Sequence, residues 1–102
     1  MKVVINRCYG GFGVSEAVYE ELGIEWEGHG YLWGDWKDYE SRDEVKLRSD
    51  PELIAAIEAV GVDGASGRLA ELSIVEVPDD VTWHIEEYDG IEWIAEDHQT
   101  WQ

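Results

Sequence analysis

The most constraining feature of this sequence is an uneven excess of negative charge. Residues 51–102 contain thirteen Asp and Glu residues and one cation, Arg68, whereas residues 1–50 contain eleven acids and six cations. The formal net charge is −17, far beyond the roughly 2–8 charges that suit a small soluble domain. Because like charges on a compact body repel one another, the excess costs stability, and it favours attraction to a strongly basic partner. The same charge disfavours contact with nucleic acid, anionic lipid and phosphorylated ligands over most of the surface.

The composition indicates one ordered domain that spans residues 1–102. Apolar residues make up 44 % of the chain and include six tryptophans, which is unlike a disordered acidic chain. A single cysteine, Cys8, excludes an intramolecular disulfide and suits a reducing compartment. The N-terminal segment has no secretory pattern and no stretch is apolar enough to cross a membrane, so we expect a cytoplasmic protein.

The order of the elements predicts an α+β fold, with two short helices packed on a small, mostly antiparallel sheet that includes a C-terminal β-hairpin. The β-branched segment 2–8 predicts a strand that stops before the glycines at 10–13. A helix is predicted to begin after the N-cap Ser15 and to end at Gly23. In the aromatic segment 26–39 we expect Trp33 and Trp36 to be exposed and most other rings to enter the core. Residues 46–48 are predicted to be extended.

The second half of the chain predicts a helix followed by three strands. Ser49 and Glu52 have the spacing of a capping box, Pro51 occupies the first turn and Gly61 ends the helix. Residues 69–77 and 81–88 are predicted to pair as an antiparallel hairpin around the turn at 78–80. Asp89-Gly90 is a strong hairpin-turn signal, which predicts that residues 91–95 return as a third strand.

The glycine-rich turn after the first strand is a candidate small-ligand site. Backbone N–H groups in such a turn can hold an anion, and arginines border this turn and the later glycine loop. The turn lacks the third glycine of a dinucleotide fingerprint and the Gly-Lys-Ser/Thr of a P-loop. A tight turn that needs positive φ is the competing interpretation. The candidate ligand site comprises Arg7, Gly10, Gly11, Phe12, Trp33 and Arg68, with Phe12 or Trp33 stacking on the ligand.

The remaining ionisable residues predict no catalytic residue, metal or cofactor. A nucleophilic Cys8 would need a nearby base, and the sequence spacing indicates none. A lone cysteine at the end of a strand is typically a small buried residue. Glu92, Glu96 and His98 satisfy no known zinc or calcium spacing. Pairs of carboxylates can always be chosen from 24 acids, so they do not indicate glycoside chemistry. We therefore expect a protein that is not an enzyme.

The carboxylates of the C-terminal strands predict a surface that binds a basic partner. Alternate residues of a strand lie roughly 7 Å apart, close to the spacing of phosphates along a nucleic-acid strand. Such a surface would compete for the Lys/Arg groove of a nucleic-acid-binding protein, and its affinity would fall with salt. General solubility and adaptation to a salty cytoplasm are the alternatives. The predicted acidic face comprises Glu71, Glu76, Glu86, Glu87, Asp89, Glu92 and Glu96.

Three segments of the chain resemble a family of small proteins of bacteriophages and prophages. They are VVINRCYGGFGVSEAV, RSDPELI and LSIVEVPDDVTWHIEEYDGIEWIAEDHQTW, which cover both ends and the middle helix. The resemblance implies a virus-linked accessory protein, and such proteins often inhibit host defence. It implies no site residues, and Gln99 stands where those proteins often carry an arginine.

Two main functional hypotheses follow from the charge and the glycine-rich turn. The leading one is a non-enzymatic, anti-CRISPR-like inhibitor whose acidic face mimics DNA and blocks a basic, nucleic-acid-binding host protein. Such an inhibitor would bind neither nucleic acid nor membranes directly. The alternative is a sponge that sequesters a nucleotide defence signal at the glycine-rich turn, and a third possibility is a structural phage protein or a halophile-adapted domain.

Overall fold

A mixed α+β architecture is seen in the computed structural model, which describes residues 1–26, 28–32, 36 and 44–96. The two antiparallel sheets of this part of the chain have two strands each, and the second sheet is the C-terminal hairpin, as predicted. The elements are β1 (Lys2–Asn6), α1 (Glu16–Leu22), α2 (Glu44–Arg48), α3 (Pro51–Val60), α4 (Val62–Ala65), β2 (Leu72–Glu76), β3 (Trp83–Tyr88) and β4 (Ile91–Glu96).

The strand pairing differs from the pairing predicted between residues 69–77 and 81–88. Strand β2 pairs with β1, with Val3 opposite Val75, and β3 pairs with β4 around Asp89-Gly90. Alternating residues specify which face of a strand is buried but not which strand lies beside it. The segment after β2 instead connects the two sheets, and the N-terminal amine of Met1 donates to the carbonyl of Val77 (2.7 Å). The predicted hairpin around residues 78–80 is therefore wrong.

Strand β1 lies between two apolar layers because its side chains are buried on both faces. Val4 belongs to a cluster with residues of α1 and α3, including Val18 and Leu53. Val3 and Ile5 point the other way and pack with Trp83 of the hairpin. The first sheet is thus the middle layer, covered by helices on one face and by the hairpin on the other.

The helices begin and end close to the predicted positions, with two differences. Gly23 ends α1 in the left-handed conformation as predicted, whereas Asp50 rather than Ser49 caps α3 by accepting a hydrogen bond from Glu52 N (2.8 Å). The Ser49 hydroxyl donates to the Val45 carbonyl one turn earlier (2.6 Å). Residues 46–48, predicted to be extended, belong to α2, because the helical turn carries Arg48 into the core.

The aromatic segment contributes to the helical side of the core. Trp26 packs edge-on against buried Tyr19, with ring centroids 5.0 Å apart, and the Tyr19 hydroxyl accepts a hydrogen bond from Leu32 N. Trp36 is half-buried and packs on the same cluster, so its predicted exposure is wrong. Trp33 lies outside the described residues.

Candidate functional site

The turn of the C-terminal hairpin lies directly on the glycine-rich loop after β1. A Cβ atom added at Gly90 would come within 2.6 Å of Gly11 N and Tyr9 O, and one added at Gly10 would overlap the Leu69 carbonyl. Only glycine allows these backbones to approach so closely. We call this region the turn end and define it as residues 9–11, 69–71 and 87–90.

Buried Asn6 holds the three parts of the turn end together. Its side-chain amide donates to the carbonyls of Cys8 and Gly90, both at 2.7 Å. Its side-chain oxygen accepts a hydrogen bond from Glu71 N (2.8 Å). One fully buried residue at the end of β1 therefore fixes the glycine loop, the hairpin turn and the segment before β2.

The turn end exposes apolar side chains beside carboxylates. Tyr9, Leu69 and Tyr88 are 71 %, 68 % and 67 % exposed, which is unusual for three large residues on adjoining segments. Glu71, Glu87 and Asp89 are also exposed. The Glu87 carboxylate accepts a hydrogen bond from Gly90 N (3.2 Å), so it borders the turn itself. The turn end therefore exposes large apolar side chains and carboxylates, with Tyr88 and Glu87 on opposite faces of β3.

The other carboxylates of the predicted acidic face lie elsewhere on the sheets. The register places Glu86 opposite Trp93 on one face of the hairpin, whereas Glu87 and Glu96 lie on the other face. Glu86 contacts the His84 ring at 3.0 Å. Glu76 ends β2 opposite Lys2, away from the hairpin turn. The seven predicted residues therefore do not share a single face, because successive residues of a strand point in opposite directions.

Glu92 is buried, and this corrects its predicted place on the acidic surface. Its two carboxylate oxygens accept hydrogen bonds from the guanidinium of Arg48 at 2.6 and 2.8 Å. The backbone N–H of Asn6 donates to the same carboxylate (2.7 Å). Glu92 is thus a structural residue that joins β4 to α2 and to the free edge of β1.

The same guanidinium lies over the ring of Phe12, with Cζ 3.6 Å from the ring centroid. One face of Phe12 is therefore covered by Arg48 rather than open to a ligand. Sequence reasoning missed the Arg48–Glu92 pair because the two residues are far apart along the chain and no motif links them. The position of Arg48 next to the apolar Leu47 was the only local indication that this arginine is buried.

A cavity of about 250 Å³ opens beside the turn end and brings together most of the predicted ligand site. Of that site, Gly10, Gly11, Phe12 and Arg68 line it, whereas Arg7 does not. Arg7 instead lines a separate groove of about 300 Å³ between β2 and β4, next to Trp93. We call the first of these the glycine-loop cavity; it lies between residues 10–13, 28–31 and 67–70.

Cys8 and the carboxylates do not assemble a reactive centre in the part of the chain that the structure describes. The Cys8 thiol donates to the Leu69 carbonyl (3.2 Å) and to the Asn6 side-chain oxygen (3.5 Å), which are structural contacts. Within residues 1–26, 28–32, 36 and 44–96, no group of three or more His, Cys, Asp or Glu residues is placed to hold a metal ion.

Comparison of the chain with protein-family models, curated proteins and solved structures finds no match. None of the described helices is long and apolar enough to span a membrane. Functional inference therefore depends on the turn end and the glycine-loop cavity.

Proposed function

We propose that this protein is a non-enzymatic inhibitor that blocks a basic nucleic-acid-binding protein, such as a CRISPR effector. The turn end presents carboxylates where nucleic acid presents phosphates. The observation that carries the proposal is that three adjoining segments, held together by Asn6, each expose a large apolar side chain and include or adjoin an exposed carboxylate. This role is in keeping with the accessory function that the phage resemblance implies.

The surface charge supports attraction to a basic partner. The described residues include fifteen exposed carboxylates and only four exposed Lys or Arg side chains. A field of this sign accelerates encounter with a positively charged groove and disfavours anionic partners. The exposed acids are Glu16, Glu20, Glu21, Glu25, Glu52, Glu58, Asp63, Glu71, Glu76, Asp79, Asp80, Glu86, Glu87, Asp89 and Glu96, and the exposed cations are Lys2, Arg7, Lys46 and Arg68.

The rings distinguish the turn end from the acidic surface as a whole. Grooves that bind single-stranded nucleic acid combine Lys and Arg with aromatic side chains on which bases stack. In the turn end, Tyr9 or Tyr88 can occupy the position of a base in such a groove, while Glu71, Glu87 and Asp89 offer carboxylates to the cations at its edges. Tyrosine is also enriched among the residues that dominate interface energies.

The test is capture of basic proteins from a host lysate at low and high salt, followed by competition between this protein and nucleic acid for the purified partner. A triple variant, Glu71→Gln, Glu87→Gln and Asp89→Asn, removes three charges while keeping the side-chain shapes. Asn suits the left-handed backbone of position 89 (φ 51°), so the turn is retained. We expect the variant to lose at least about 100-fold in affinity. Each substitution replaces a charged acceptor by a neutral one, and hydrogen bonds to charged groups contribute more to binding than neutral hydrogen bonds do.

The matched control changes the same number of charges on another surface. Glu20, Glu21 and Glu25 are exposed on α1 and the loop after it, and their replacement by Gln changes the net charge equally. We expect this control to bind within about threefold of the unmodified protein. Equal losses in both variants would show that only diffuse charge matters, and failure to capture any basic protein at low salt would contradict the inhibitor proposal.

A further inference from the structure

The glycine-loop cavity differs in charge from the rest of the molecule. No carboxylate is among its described lining residues, although the chain contains 24 Asp and Glu residues. Its ionisable side chains are Arg68, His29 and Tyr31. In a protein that repels anions over most of its surface, this cavity is therefore a place where an anion meets a cation and, among the described lining residues, no acid.

The cavity wall also offers backbone donors. Gly13 is buried, and its N–H makes no hydrogen bond to any other residue in the described part of the chain. Gly13 also lines the cavity, and a backbone N–H at the cavity wall can donate to an oxyanion bound there. A Cβ atom added at Gly11 or Gly28 would meet nothing within 4 Å, so bare backbone borders open space there.

Two parallel rings line the other side of the cavity. His29 and Tyr31 lie with ring centroids 5.9 Å apart and an interplanar angle of 4°. Tyr31 is 54 % exposed, so part of its surface is open for stacking. Phe12 is a poorer platform because Arg48 covers one of its faces. A ligand with a planar ring and a negatively charged group would place the ring beside Tyr31 and the charged group near Arg68.

We propose that the glycine-loop cavity binds a mononucleotide-class ligand, that is, a single phosphate joined to one planar base. The volume of about 250 Å³ lies just below the lower end of the roughly 300–1,000 Å³ typical of small-molecule pockets, which favours one nucleotide over a dinucleotide. The phosphate contacts Arg68 and the Gly13 N–H, and the base lies along Tyr31. The cavity shares Gly10, Gly11, Leu69 and Ala70 with the turn end, but the two proposals use different charged residues and are tested by different variants.

Calorimetry on the full chain with AMP, GMP and their 3′,5′-cyclic forms tests the proposal, with adenosine and inorganic phosphate as partial ligands. We expect at least one nucleotide to bind with one-to-one stoichiometry and each partial ligand to bind at least about tenfold more weakly. Arg68→Ala is expected to weaken nucleotide binding by at least about tenfold, because it removes a charge-assisted contact.

Arg7→Ala is the matched control. Arg7 is also an exposed arginine near a glycine loop, but it lines the other groove, and its hydrogen bond within the described residues comes from its backbone N–H, to Glu71 O (2.8 Å). We expect this variant to bind nucleotide as the unmodified protein does. Equal losses in Arg7→Ala and Arg68→Ala, or no binding of any nucleotide at about 1 mM, would overturn the ligand site. Neither result bears on partner capture, which the turn-end carboxylate variant tests separately.

Discussion

Among the described residues, one buried ion pair lies beside β1 and one exposed ion pair includes its first residue, Lys2, and the two pairs differ in nearly every physical respect. Arg48 and Glu92 are almost completely buried, with side chains 4 % and 8 % exposed, and they meet through two parallel hydrogen bonds. Lys2 and Glu58 meet at a single 2.6 Å contact, with side chains 46 % and 45 % exposed. The first pair replaces water around both charges, whereas the second keeps much of its hydration.

The buried pair also completes the backbone hydrogen bonding of β1. The side of β1 that faces away from β2 would otherwise carry unsatisfied N–H and C=O groups. Glu92 accepts from Asn6 N, and Arg48 Nη1 lies 3.4 Å from the Val4 carbonyl. The comparison teaches that the buried pair supplies the β1 backbone with hydrogen-bond partners that a neighbouring strand would otherwise supply, whereas the exposed pair does not.

The largest expected effect is the loss of one partner of the buried pair. Glu92→Gln keeps the shape but leaves Arg48 buried without a counter-charge, and we expect it to destabilise the fold by about 3–5 kcal/mol. That is a large part of the roughly 5–15 kcal/mol by which such domains are stable. Chemical denaturation measures it, and a loss below about 1 kcal/mol would contradict the structural role.

A double variant sharpens this expectation. Arg48→Met combined with Glu92→Met removes both charges, so it avoids the uncompensated buried charge and is expected to be more stable than Glu92→Gln alone. It still leaves Asn6 N and the Val4 carbonyl without these partners, so we expect about 1–3 kcal/mol of residual destabilisation. Additive effects of the two single changes would contradict the coupling.

An intermediate effect is expected for Arg48→Lys, which keeps the charge but loses the planar fork. Lysine cannot form two parallel hydrogen bonds to Glu92 or lie flat over Phe12. We expect a loss of about 1.5–3 kcal/mol in chemical denaturation. Stability equal to that of the unmodified protein would show that only the charge at this position matters.

The smallest effect is expected at the exposed pair. The hydrogen bond and the negative charge of Glu58 raise the pKa of Lys2 above its usual value of 10.5, and Glu76 adds to this. The folded state therefore holds this proton more tightly than the unfolded state does, so the stabilisation is complete below about pH 10.5 and is lost as the pH rises through the raised pKa. Lys2→Met is expected to lower the thermal midpoint slightly at pH 8 and by less as the pH rises through the raised pKa of Lys2, and a shift that grows with pH would contradict this account.

Local sequence features predicted much of the fold and part of the candidate site. Asp89-Gly90 marks the hairpin turn because its residues tolerate positive φ, and both adopt it (51° and 94°). Pro51 begins α3 and Gly61 ends it, because each residue restricts or permits particular φ angles of its own backbone. Gly10, Gly11 and Phe12 were selected from one short segment, and they do line the cavity.

The remaining features depend on which segments meet in space. Whether β2 pairs with β1 or with β3 is not specified by alternation, and the choice decides which loops adjoin the glycine turn. Glu92 looks like any other acid of the hairpin until folding places it against Arg48. The sequence by itself determined the negative charge, the helix ends and the hairpin turn, because these depend on composition and on neighbouring residues. Only the tertiary structure decided which carboxylates are exposed, since burial is a property of contacts between distant parts of the chain.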